Sequence, residues 1–190
     1  MRAGTLALGL AAMTMAVTTA SATGTLNAFT APASARAEVE GGAEAKASPV
    51  YGVTLPRGYR SWTLISVAQE NGKNNDIRAI LGNDIAVKAF REGKRPFPDG
   101  AVIVRLAWRY QSSPRNDAVF PAPQSFVAGD PINVQVSVKD SRRYAASGGW
   151  GYGQFENGGA TPGSALMQAC AACHSKLEEG ADRVFTAWAP

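Results

Sequence analysis

The sequence predicts an α+β fold: an antiparallel sheet of about five strands, short helices at its edges, and a C-terminal helix. Two observations carry this. Short runs rich in β-branched and aromatic residues recur from residue 61 to residue 156, a composition that suits strands. Most turns joining them are too short for the crossovers parallel neighbours need, so the strands pair antiparallel.

The elements follow in order. In "SWTLISVAQE", Trp62, Leu64 and Ser66 alternate with Thr63, Ile65 and Val67, which predicts a strand buried on both faces or nearly so. "NGKNN" is a hairpin turn, and "DIRAILG" a second strand. "NDIAVKAFREG" reads as a short helix capped by Asn83 or Asp84, with Ile85, Ala86, Ala89 and Phe90 on one face and Gly93 at its end. After the Pro/Gly turn "KRPFPDG", "AVIVRLAWRY" is the most apolar strand candidate. Residues 111–131 form a proline-rich loop, and "INVQVSVKD" alternates cleanly as a strand. "SRRYAASGG" forms a helical turn before the Gly/aromatic strand "WGYGQFE". Ser164 then caps the helix "ALMQACAACHS".

The chain has 190 residues, and its start reads as an export leader. Met1-Arg2 precedes a run of apolar and small residues from Leu6 to Val17, and no acidic residue occurs before Glu38. A basic start, an apolar stretch of about a dozen residues and a small-residue cleavage site make a secretory signal. Cleavage fits after Ala22 or after Ala37, and the acidic stretch from Glu38 favours the second. The predicted organisation is a leader at 1–37, a flexible lead-in at 38–50 and a single domain at 51–190. Periplasmic localisation follows. The apolar run is too short for a membrane span of roughly 20 residues. Nineteen Lys and Arg stand against 15 Asp and Glu, and Arg2 and Arg36 belong to the leader, so the mature chain is nearly neutral. With no basic run interleaved with aromatics, a nucleic-acid partner is not expected.

Every cysteine and the only histidine lie within five positions, in "CAACH": Cys170, Cys173 and His174. A structural zinc site wants four ligands. A redox C-x-x-C would need a thioredoxin-like context that this chain does not offer. The remaining reading is C-x-x-C-H as a c-type haem attachment. Thiols three positions apart share one side of a helical turn, and both can bond one porphyrin edge while His174 becomes the proximal iron ligand. One covalently attached haem c is therefore expected. The far side has no evident methionine or histidine ligand, so the sixth position is empty, water-filled, or held by an unusual group such as lysine or tyrosine. Of the four methionines, Met1, Met13 and Met15 lie in the leader, and Met167 sits one turn before Cys170 on the proximal side. An open iron points to a small-molecule ligand or substrate and, for redox chemistry, a partner protein. Polar strand residues are candidates for the distal wall: Arg78, Arg105, Gln154 and Glu156, with Arg78, Arg105 and Glu156 as catalytic candidates.

"LPRGYRSW", "AVIVRLAW", "SGGWGYGQF" and the late C-x-x-C-H together resemble the cytochrome P-460 family, from about Tyr51 to Pro190. The resemblance implies an antiparallel sheet with helices, a homodimer, and a c-type haem held by Cys170, Cys173 and His174. It also implies one of two activities. One branch oxidises hydroxylamine and carries a lysine–haem bond from a distal strand; the related cytochromes c′-beta lack that bond and bind nitric oxide. The strand that aligns with the lysine-bearing one has Arg105 instead, Arg78 resembles the family's distal arginine, and Lys88, the nearest lysine, is expected on a helix.

Overall fold

In a computed structural model, residues 46–189 are described. The expected leader and most of the expected lead-in lie outside them. Six strands form one sheet in the order of the sequence. They are β1 (Thr63–Glu70), β2 (Asp76–Gly82), β3 (Val102–Ser112), β4 (Phe126–Lys139), β5 (Trp150–Glu156) and β6 (Gly159–Ala160). All five neighbouring pairs are antiparallel. Among the described residues the α-helices are α1 (Asp84–Arg91), the single turn α2 (Pro114–Asp117) and α3 (Ser164–His174). No helix among the described residues is long and apolar enough to cross a membrane.

Alternation along the strands makes the sheet two-faced. On one face Leu81, Val104, Leu106, Val136 and Phe155 pack with Val53, and the incoming segment lays Leu55, Tyr59 and Trp62 against them. On the other, Ile80, Ile103, Trp150 and Tyr152 meet α1 and α3 through Ala86, Ala89, Phe90 and Met167. Ser48 is buried, and its hydroxyl donates to the Tyr152 carbonyl at 2.9 Å.

Several elements differ from their sequence reading, each for a local reason. β1 is an edge strand and buries only Ile65, so its run of apolar residues does not mean burial on both faces. In α1 the buried side chains are Ala86, Val87, Ala89 and Phe90, and Ile85 is exposed. The Asn83 side chain caps that helix by accepting from Ala86 N–H, and also accepts from Val102 N–H, joining the helix start to β3. β4 reaches back through Gly129 and Pro131 to Phe126. Register shifts between Ala107 and Tyr110 absorb Pro131, since bulges are where a sheet tolerates proline. The region expected to be one loop therefore contains a strand end and α2. The expected cap Ser164 is the first residue of α3; Gly163 precedes it and no side-chain cap forms. β6 is the strand missing from the sequence reading, and its two residues are too few to show a pattern.

The glycines of "WGYGQF" have a steric cause. Trp150 and Tyr152 face α3, while Gly151 and Gly153 lie on the opposite face, where a Cβ would meet the Tyr144 ring and the Phe155 and Val53 side chains respectively. Gly151→Ala is expected to destabilise the fold by about 1–3 kcal/mol through overpacking, measured as a lower urea midpoint with unchanged slope.

Candidate functional site

Helix α3 ends with His174 beside the aromatic face of β5. The His174 ring lies 4.9 Å from the Tyr152 ring and 4.9 Å from Phe185, which meets it edge-on. Its Nδ1 is 2.6 Å from the Arg183 carbonyl oxygen. A carbonyl only accepts, so Nδ1 carries the proton and Nε2 is left as the free, lone-pair nitrogen. Burial holds the imidazole below its usual pKa; the hydrogen bond to Arg183 acts in the opposite direction, and the Arg183 charge adds to the lowering. A neutral ring with Nδ1 bonded to a carbonyl is the form in which histidine binds metals.

The Arg183 carbonyl reaches His174 through an unusual backbone. Asp182 (φ 46°) and Arg183 (φ 61°) are both left-handed without being glycine. Such a conformation costs about 1–3 kcal/mol per residue and persists only where the surroundings impose it.

Cys170 and Cys173 lie three positions apart on α3, and no disulfide joins them. Cys170 is half-buried against the core, and burial pushes its thiol pKa up, with Cys173 adding to the shift. Cys173 is exposed and, with His174, lines a cavity of about 780 Å³. That is within the roughly 300–1,000 Å³ usual for cofactor pockets. One wall is the face of β1–β5; the other is the end of α3 with the segment from Arg183 to Ala187. A smaller surface hollow of about 560 Å³, bordered by Asp99, Lys139 and Arg143, contains neither cysteine nor histidine.

The sheet wall is polar toward one end. Arg105, Gln135 and Gln154 stand opposite one another on β3, β4 and β5. Arg105 donates from Nη1 to Asn133 and Gln135, both at 3.1 Å, and from Nη2 to Asp76. Gln135 donates to Gln154 at 2.8 Å, and Gln154 to Glu156 at 2.9 Å. Arg78 donates to Asp76 at 2.8 and 2.5 Å and pairs with Glu70 at 2.5 Å. The buried Asp76 carboxylate thus lies between two guanidinium groups. Burial lowers the Arg105 pKa and the Arg78 charge lowers it further, while Asp76 opposes both.

The sequence candidates are therefore partly brought together. Arg78, Arg105, Gln154, Cys173 and His174 all line the cavity. Glu156 is exposed and reaches it only through Gln154. Lys88 lies on the exposed side of α1, 3.9 Å from Glu92. Met167 is fully buried in the core under α3. Asp76, Gln135, Tyr152, Arg183 and Phe185 escaped the sequence reading. The run Asn133, Gln135, Ser137 was a signal for one of them, because polar residues at alternate positions of a central strand mark a face that lines something other than core. Asp76, two positions before Arg78 on the same face, was another.

Among the described residues, two buried polar side-chain atoms have no hydrogen-bond partner: Trp150 Nε1 and the Tyr152 hydroxyl. Both residues line this cavity, and orphaned buried donors call for a bound group or water. Burial pushes the Tyr152 phenol above its usual pKa, so it stays protonated and able to donate. Basic side chains also outnumber acidic ones in the lining, with Lys73, Arg78, Arg105, Arg109 and Arg183 against Glu70 and Asp76. Size, unpaired donors, positive lining and a metal-ready histidine all fit a haem with its carboxylates.

Among known proteins, the family model described as Cytochrome P460 matches residues 56–186, and the chain belongs to that family. The family implies a haem cofactor. No curated protein matches the chain.

Breaking the charge cluster tests its place in the fold. Asp76→Ala leaves Arg78 and Arg105 facing each other in a largely buried site. A loss of about 3–5 kcal/mol in unfolding free energy is expected from removing one partner of a buried pair, measured by denaturant titration of the haem-loaded protein.

Proposed function

We propose that this member of the cytochrome P460 family is an exported, periplasmic mono-haem c-type cytochrome, with an open distal iron site for redox chemistry on small nitrogen species, hydroxylamine or nitric oxide. The observation that carries the reading is the bond from His174 Nδ1 to the Arg183 carbonyl, which leaves Nε2 free at a cavity of cofactor size. Cys170 and Cys173 would anchor the haem through thioethers, and His174 would bind its iron. The bound haem would supply an iron that binds a small ligand and exchanges electrons.

The chain's own contribution is orientation and charge. Arg183 fixes the His174 tautomer. Asp76 and Gln135 hold Arg105 in one rotamer, and Gln135 with Glu156 holds the Gln154 amide between them. Arg78, Arg105 and Gln154 are the distal groups that hydrogen-bond a polar ligand. Glu156 acts through Gln154, because an amide orients a ligand without exchanging protons readily. Electrons would pass from the bound haem to a partner protein, and the family resemblance supports a homodimer.

A second reading, a nitric-oxide-binding protein without a catalytic cycle, is favoured by one observation. The strand residues that line the cavity include no lysine; Lys73, in the β1–β2 turn, is the one lysine in its lining. A lysine–haem bond from a distal strand therefore has no candidate donor there.

The test is expression with export and haem maturation. Haem is expected to stay bound to the chain under denaturing conditions and to be released when Cys170 and Cys173 are both changed to Ser. His174→Ala is expected to abolish the five-coordinate ferrous spectrum. Steady hydroxylamine oxidation with an artificial acceptor supports the enzyme; stoichiometric nitric oxide binding without turnover supports the second reading. A six-coordinate low-spin ferrous spectrum at neutral pH sinks both.

A further inference from the structure

We infer that Lys139 and Asp182 form a positioning pair that orients His174 through the Arg183 carbonyl. The inference rests on the reading of His174 as the iron ligand and adds two residues outside the C-x-x-C-H motif to the proximal site.

Lys139 ends β4, opposite Trp150 of β5. It is 5 % exposed, which is rare for a lysine. Its Nζ lies 2.7 and 3.0 Å from the two Asp182 carboxylate oxygens and 5.1 Å from the centre of the Trp150 ring. Asp182 also accepts the Phe97 N–H at 2.7 Å. The carboxylate is thus held at once by the sheet and by the segment between α1 and β3. The next residue supplies the carbonyl that His174 bonds.

The geometry separates this pair from an ordinary buried salt bridge. A histidine on a helix has its backbone placed by the helix, while its ring can still turn about the side-chain torsions. Here an acceptor outside the helix fixes the ring. That acceptor sits in two consecutive left-handed residues that would relax if released. The Arg183 side chain lies over Gly148, where a Cβ would collide with it, so the loop is held from that side too. Through Lys139, the ring is oriented relative to β4 and β5, the strands that also carry Gln135 and Gln154 of the far wall. The pair therefore couples the proximal ligand to the sheet that lines the ligand side.

Partners that accept from a ligating histidine raise its basicity and tune the metal. Loosening the carbonyl weakens the Nδ1–H bond, makes the imidazole a poorer donor and favours ferrous over ferric iron. The test uses the haem-loaded protein with Asp182→Asn, the doubly neutral Lys139→Met/Asp182→Asn, and Lys139→Arg. In the first two, the midpoint potential is expected to shift upward and the ferrous iron–histidine stretching frequency to fall, with haem still attached. Lys139→Arg keeps the charge and is expected to hold both values at wild type. The doubly neutral variant has no unpaired buried charge, so it keeps the test usable if Asp182→Asn alone folds poorly. A lower melting temperature with potential and stretching frequency unchanged in both neutral variants would overturn the inference and leave the pair purely structural. If His174→Ala leaves the ligand-binding spectrum unchanged, the ligand assignment itself fails, whatever the Lys139 and Asp182 variants do.

Discussion

The hydrogen bond between His174 Nδ1 and the Arg183 carbonyl is the contact on which the site depends. It decides which ring nitrogen is free, and it joins the end of α3 to the tail that forms the second wall of the cavity. Without that tail, His174 would project from a helix end beside a partly polar sheet. With it, the half-buried ring sits between Tyr152 and Phe185. Burial and the carbonyl act on the imidazole in opposite directions: burial favours the neutral ring, and the carbonyl sets the tautomer of that ring.

The cavity exists because the two faces of the sheet are used differently. The face carrying Val104, Val136 and Phe155 is closed by the incoming segment, and ordinary apolar burial holds it. The opposite face is closed only in part. Near α1 it is apolar, through Ile80, Ile103 and Trp150. Toward the β1–β2 turn it becomes Asp76, Arg78, Arg105, Asn133 and Gln135. Side chains that must keep hydrogen-bond partners cannot pack densely against a helix, so space remains between sheet and tail. The alternation that builds the sheet therefore also sets where the cavity opens.

Much of this was legible in the sequence. C-x-x-C-H shows in spacing alone, and it marked the one helix end that faces the cavity. Arg78, Arg105 and Gln154 were legible because a charged or amide residue within an apolar strand has few reasons to be there. The strands were legible as elements, but the burial of β1 was not, since an edge strand and a central strand of the same composition read alike. The partners of these residues stayed hidden. Lys139 and Asp182 are 43 positions apart and meet only through the fold. Nothing local distinguishes Lys139 from the exposed lysines, and the left-handed backbone at Asp182 and Arg183 has no glycine to announce it. Glu156 shows the converse: its position on a promising strand made it a candidate, yet the strand end carries it to the surface, two residues beyond the cavity-lining Gln154.

Stability alone does not account for the charged cluster on the cavity wall. Asp76 is almost fully buried between Arg78 and Arg105. Taking such charges out of water offsets most of what their attraction contributes, and apolar residues of similar volume are often as stable or more so. Ile80 and Ile103 on the same face illustrate what an apolar wall would be. Replacing a buried charge cluster by apolar residues of similar volume is often neutral or stabilising. What such a replacement would remove is a set of oriented donors on the wall of the cavity that His174 also lines. The cluster is therefore explained by the space it lines, and a polar ligand within that space is what its geometry is built to meet.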